Sequence, residues 1–336
     1  MLTRLAGNTY WLARSLERAE NTCRLLRALN RQSLLPGAVH TSALFRTALA
    51  VVDELEAFQV GTREQTARAI LEYILIAPEN HSSVVNCFAN VRENGRSARH
   101  MLTASMWEAV NRTYLRAQEI RSEGVRLDEV DEVIDWALQG CYWIRGAADE
   151  LRRDGLPHVL SLGQALERLD FTLRLLSTLL ADLPSIDPDN PPTMSSGEYR
   201  RWLAMIEAGD MSESWRSSSP RRRLGQTALA MFVTDPHTTR SLVTNARRVV
   251  AALEIISGRD DSAAMAAASA LVHQILAIPI GDGDLSVVQT AITEVVIRTW
   301  ELSDLCIRDH LSIAQPATAS ASASQSSSTL PPGAQV

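Results

Sequence analysis

Apolar residues near the start of the chain fall at Leu5, Leu12, Leu16, Ala19, Cys23 and Leu26, a three-and-four spacing that lines one face of a helix. A long opening helix is predicted. After Pro36-Gly37 the same spacing covers about 41–58, 63–76, 81–103, 105–122, 127–153 and 157–182, interrupted at Gly61, at Ala77-Pro78-Glu79-Asn80 and at Gly155. It resumes over about 198–209, 222–232, 238–257, 261–278 and 284–313. Nowhere does strand-like alternation persist, so the predicted fold class is all-α. The polar run Asn80-His81-Ser82-Ser83 stands where a helix N-cap is wanted, because a side-chain oxygen there satisfies an orphan amide. Gly281-Asp282-Gly283-Asp284 reads as a loop opening the last helix.

One segment repeats. Leu16-Glu17-Arg18-Ala19-Glu20-Asn21-Thr22-Cys23-Arg24-Leu25-Leu26 aligns without a gap to Leu166-Glu167-Arg168-Leu169-Asp170-Phe171-Thr172-Leu173-Arg174-Leu175-Leu176, an offset of 166 − 16 = 150. Leu75-Ile76-Ala77-Pro78 followed by Ser83-Val84-Val85 likewise resembles Val233-Thr234-Asp235-Pro236 followed by Ser241-Leu242-Val243, an offset of 236 − 78 = 158. Two segments recurring in the same order point to duplication, and the period is too long for a solenoid. The expected architecture is a two-copy, pseudo-symmetric helical bundle. Residues 1–182 form a first unit running into the second Leu-Glu-Arg helix, and 198–313 the remainder of the second. The Pro/Asp/Ser-rich stretch 183–197 reads as a linker, and the Ala/Ser/Pro-rich stretch 314–336 as a disordered tail.

On a helical wheel Tyr10, Glu17, Asn21 and Arg24 lie opposite the Leu12/Leu16 stripe, with Glu20 beside them. Two readings stand. The face lines a polar cleft, or it is a solvated surface on which Glu20–Arg24 and Asp170–Arg174 make i,i+4 pairs. A second polar group, Arg92, Glu93, Asn94, Arg96 and Arg99 followed by Trp107, Glu108 and Asn111, reads as an anion-binding row or as an ion-paired exterior.

Composition narrows the chemistry. The net charge of −6 provides no global basic field for nucleic acid or an anionic membrane. All 33 cationic side chains are arginines, so Schiff-base, P-loop and kinase-type lysine mechanisms are unavailable to the chain. The four cysteines are widely spaced, without metal-ligand or CxxC pattern, and read as reduced core residues. Without a signal-like apolar stretch at the start or a membrane-length segment, cytoplasm is the expected location. Glu17, Glu93, Glu108 and Glu167 invite a di-metal reading, but the Glu-x-x-His partner of that chemistry does not occur. Neither metal nor cofactor is expected, and the dispersed histidines build no hydrolytic triad.

The stretches MLTRLAGNTYWLARSLERAENTCRLL, PENHSSVVNCFANVRENGRSARHMLTASMWEAVNRTYL and LGQALERLDFTLRLL resemble the bacterial alpha-E domain family, over about residues 1–310. Positions that match the family are Tyr10, Trp11, Arg14, Glu17, Arg18, Glu20, Asn21 and Arg24, then Asn80, Ser82 and Ser83. Further along they are Arg92, Glu93, Asn94, Arg96, Trp107, Glu108 and Asn111, and in the second copy Gly163, Glu167, Arg168 and Arg174. Ala13, Gln164 and Leu156-Pro157 depart from the family pattern, which marks the first copy as the better preserved. The resemblance implies an association with a circularly permuted ATP-grasp protein and a transglutaminase-like protein, hence a role in ATP-dependent peptide or amide-bond modification. The first expectation is a helical partner or substrate-presenting module. An enzyme with paired glutamates as general acid and base (Glu17, Glu93 and Glu167 being the candidates) is the second, and it needs a buried glutamate with a raised pKa. A purely structural scaffold is the third.

Overall fold

The periodic segments become fourteen α-helices and no strand among the described residues. The computed structural model describes residues 3–35, 41–61, 64–152, 155–181, 196–217, 224–258, 262–280 and 285–311. Pro36-Gly37, residues 183–195 of the expected linker, the loop at 281–284 and the expected tail at 314–336 lie outside them. In chain order the helices are α1 (Thr3–Ser33), α2 (Thr41–Val51), α3 (Leu55–Val60), α4 (Ala67–Leu75), α5 (Val84–Ser97), α6 (Ala104–Glu123) and α7 (Val130–Ala148). There follow α8 (Leu156–Ala181), α9 (Ser196–Ala208), α10 (Ser212–Ser217), α11 (Leu224–Val233), α12 (Leu242–Ser257), α13 (Ala263–Leu276) and α14 (Leu285–Cys306). The residues expected to end the linker, Ser196 and Gly197, already open α9.

Side-chain caps set several starts. Thr66, Ser83, Thr103, Ser241 and Ser262 each accept a hydrogen bond from the backbone amide three residues on, a contact worth about 1 kcal/mol. Ser83 is thus the cap that the Asn80–Ser83 pattern predicts, and Ser241 holds the same place before α12. Where spacing predicts one helix over 41–58, the structure breaks between α2 and α3. Asp53 turns into the left-handed region (φ 62°), and Asp210 does the same between α9 and α10 (φ 56°). Aspartate tolerates that conformation because its short carboxylate can bond locally, and periodicity carries no trace of it.

Helices α1 and α8 lie side by side at the centre. α1 packs against α2, α5, α7, α8 and α9, and α8 packs against α1, α2, α9, α12 and α14. They approach tightly at Gly163, where a Cβ would come within 2.7 Å of the Tyr10 carbonyl oxygen and 3.0 Å of Ala13 Cβ. Any larger residue would force the two axes apart. The Leu12/Leu16/Ala19/Cys23 stripe is buried as its spacing predicts, but so is the opposite side: Tyr10, Glu17 and Glu20 are 0% exposed and Asn21 1%. The solvated-surface reading of that face is therefore overturned. With neighbours on every side, α1 has no solvent face along its middle turns, and its polar residues must find partners inside the protein.

Candidate functional site

The two Glu-Arg dipeptides exchange partners. Glu17 Oε1 accepts from Arg168 Nε at 2.7 Å, and Glu167 Oε1 accepts from Arg18 Nε at 2.7 Å. Each glutamate thus meets the arginine of the other helix, across 151 and 149 residues of sequence. The residue one turn earlier also crosses: Arg14 pairs with Glu167, and Gln164 Nε2 donates to Glu17 Oε2 at 3.1 Å. Close packing of α1 on α8 produces this crossing, because each Glu projects toward the neighbouring axis. Within each helix, Arg24 reaches back to Glu20 and Arg174 to Asp170.

Beyond this shared frame the two surroundings differ. Around Glu17 the protein adds Arg145 from α7, which donates to Glu17 Oε2 at 2.7 Å and also pairs with Glu20. Arg240, the residue before the cap of α12, has 5% side-chain exposure and fills the centre of this site. Its Nη1 donates to Asn21 Oδ1 at 2.6 Å and lies 3.1 Å from Glu17, its Nη2 donates to Glu20 Oε1 at 2.7 Å, and its Nε lies 3.6 Å from Asp210. Arg24 pairs with the same aspartate. Three carboxylates here face four guanidiniums. Burial pushes the Glu17 carboxyl up, but Arg168, Arg240 and Arg145 outweigh it and hold Glu17 far below the usual carboxylate range.

Around Glu167 the supply of cations is smaller. Arg18 and Arg14 overcome the effect of burial and lower Glu167 to about 2. Arg14 is fixed in turn by Tyr10, whose hydroxyl accepts from Nη1 at 2.8 Å and contacts Ser303 Oγ at 3.1 Å. Trp300 Nε1, from α14, donates to Asp170 Oδ1 at 3.0 Å. Beside these pairs lies a cavity of about 250 Å³. Its walls carry Arg18, Asn21, Thr22, Glu167, Asp170, Phe171 and Arg174 from the two central helices, Val52, Asp53 and Glu54 from the α2–α3 turn, Ser82 before α5, and Trp300. Tyr73 donates its hydroxyl hydrogen to Glu54 at 2.9 Å, yet burial prevails and leaves the Glu54 carboxyl above its ordinary value.

The other predicted residues stand apart from this cavity. Asn80 is buried in its own turn, donating to the Tyr73 carbonyl at 3.0 Å and accepting from the Ser82 amide at 2.8 Å, while Ser83 caps α5. Glu93 is exposed and paired with Arg92 and Arg96 on the outside of α5. Arg92 also donates to Asn111 on α6 and stacks over Tyr114 at 4.6 Å. Asn94 turns back to the Asn90 carbonyl, and exposed Glu108 pairs with Arg112. The row on α5 and α6 is an ion-paired exterior and does not meet the Leu-Glu-Arg residues. Conversely, Asp53, Glu54, Arg145, Asp210, Arg240 and Trp300 are site residues that sequence reasoning missed. One signal was available for Arg240: the 158-residue offset that aligns the two Pro/Ser segments sets it against Ser82.

The four cysteines are free and buried, and burial raises the Cys87 and Cys306 thiols to about 12. Among the described residues no group of three or more His, Cys, Asp or Glu side chains is arranged to hold a metal ion, and no helix is long and apolar enough to cross a membrane.

Comparison with curated proteins and with solved structures gives no match. A family model does match, over residues 1–311, and it describes a predicted alpha-helical domain with a conserved ER motif. Two such dipeptides, Glu17-Arg18 and Glu167-Arg168, form the exchange at the centre of this fold, and over almost all of its described length the chain belongs to the Alpha-E family.

Proposed function

We propose that the chain is a binding module that presents a peptide or amide substrate to an ATP-grasp ligase, with no turnover of its own. The observation that carries this reading is the state of the two central glutamates. Both are buried and multiply ion-paired, with carboxyls held far down. A general acid must hold a proton near neutral pH, and a general base must be free to accept one. Glu17 and Glu167 satisfy neither condition, so the Glu-Arg exchange supports a framework role, and the adjoining cavity is the place left for a ligand. The matching order of α1–α7 and α8–α14 supports two copies of one seven-helix unit, each opening on its Leu-Glu-Arg helix. Buried free thiols accord with a cytoplasmic setting.

The ligase partner, a circularly permuted ATP-grasp protein, and a transglutaminase-like protein come from the family resemblance. Co-expression with the ATP-grasp protein of the same genome tests the reading. The tagged chain is expected to retain that protein through purification and, by itself, to hydrolyse neither ATP nor amide substrates. Failure to retain it, or turnover by the isolated chain, overturns the proposal. One observation favours a second reading: Glu54 lines the cavity and burial shifts its carboxyl upward, the direction that suits a general acid and opposite to that of Glu17 and Glu167. Under that reading Glu54→Gln abolishes a turnover that the wild-type chain displays.

A further inference from the structure

The filled site around Glu17 and the open site around Glu167 are built from residues at matching positions. Glu17, Glu20 and Asp210 in the first correspond to Glu167, Asp170 and Asp53 in the second, and both Asp53 and Asp210 adopt the left-handed backbone that follows α2 or α9. Arg240 and Ser82 correspond most closely of all, since each immediately precedes the capping serine of α12 or α5. In the first site the Arg240 guanidinium occupies the space between the three carboxylates. At the matching place in the second site the side chain is a serine, and the space is a cavity of about 250 Å³.

Resting on the reading of this cavity as the ligand site, we propose that it binds a guanidinium group, the side chain of arginine either free or within a peptide. Its charge is right for a cation: among the described residues Glu167, Asp170, Asp53 and Glu54 stand with Arg14, Arg18 and Arg174, four carboxylates to three guanidiniums, whereas the filled site without Arg240 has three of each. Among the described residues Asp53 makes no ion pair, while its counterpart Asp210 is held by Arg24 and Arg240. Trp300 and Phe171 add aromatic surface suited to a planar cation. Asn21, 1% exposed, lines the cavity with its Nδ2 lacking a partner, and Arg174 Nε is likewise unpartnered. The volume lies below the roughly 300–1,000 Å³ of pockets for drug-sized molecules, which fits one side chain with its adjoining backbone group.

Calorimetric titration of the full chain with L-arginine, N-acetyl-L-arginine amide, L-lysine and L-citrulline tests the assignment. One equivalent of an arginine compound is expected to bind, and citrulline, neutral and of the same shape, to bind at least about tenfold more weakly. The tighter of the two arginine compounds tells a free amino acid from a peptide residue. Ser82→Arg, which restores the counterpart of Arg240, is expected to abolish binding with the melting temperature kept or raised. Asp53→Asn, at an exposed position, is expected to weaken binding about tenfold with the fold intact. No binding by either arginine compound, equal binding by citrulline or by lysine, or full binding by both variants overturns the proposal. The titration needs no ligase, so its failure is separate from a failure of co-purification.

Discussion

Around Glu17 the protein fills the space with a side chain of its own, Arg240, while beside Glu167 the walls enclose a cavity. Each site has a central glutamate, a second carboxylate three residues on and an aspartate in a left-handed turn, yet the residue before one helix cap is Arg240 and before the other Ser82. The remaining exchanges follow that one. Arg145 on α7 stands where α14 presents Trp300, so the filled site gains a further cation and the open site gains an aromatic wall. Gln164 stands where the first helix has Arg14, which spares the arginine-rich site one more charge and gives the arginine-poor one an extra cation. The comparison teaches that two sites built on the same Glu-Arg exchange can differ in what stands beside it. The interior around Glu17 is already spent on internal pairing.

The comparison can be broken most forcefully at its centre. Glu17→Gln takes from buried Arg168 its counter-ion and from Arg240 and Arg145 one of their two glutamates, and it is expected to cost about 3–5 kcal/mol, as does breaking other buried pairs. Glu167→Gln strands two arginines, and its cost is expected to be the smaller of the two; equal melting temperatures for the variants would mean that the two sites carry equal electrostatic weight. Acid gives an effect of intermediate size. Both glutamates sit below their ordinary value of 4.5 in the fold, so the unfolded chain binds protons first as the pH drops. Their stabilisation is fully present above that pH and is lost as the pH falls toward about 2. Denaturant midpoints measured from pH 6 downward should therefore stay level until about pH 5 and then decline. Glu93→Gln, on the ion-paired exterior, is expected to change stability by less than about 0.5 kcal/mol and to leave ligand binding untouched.

Much of the fold was legible, because amphipathic spacing and serine caps report on neighbours within one turn. Ser83 is an instance: its position before a run of helix formers suffices to identify the cap. The candidate site was legible in its identities and not in its pairings. Glu17, Arg18, Glu167 and Arg168 announce themselves by repetition, but which glutamate meets which arginine is decided by two helices lying side by side. Nothing local in the sequence encodes that contact. Polar residues opposite an apolar stripe read as a surface on any single helix, and α1 violates the rule only because α7, α8 and α9 cover it. Asp53 escaped because a left-handed residue inside an apolar run leaves the period almost unchanged, whereas Asp210 lies just past the predicted helix end at 209. The α5–α6 row met the same ambiguity from the other side, and its arginines found their partners within their own surface.

The exchange across 151 residues also has a schedule. Synthesis proceeds at about 5–20 residues per second, so α1 leaves the ribosome roughly 7–30 seconds before α8 can follow. Throughout that interval Glu17 has neither Arg168 nor Arg240, and Arg18 has no Glu167. The first seven helices must wait with a hydrated, charged central helix that cannot yet close. Commitment to the native state is therefore a late event, triggered by the arrival of the second Leu-Glu-Arg helix. A nascent chain stalled before α8 is the species most in need of a chaperone.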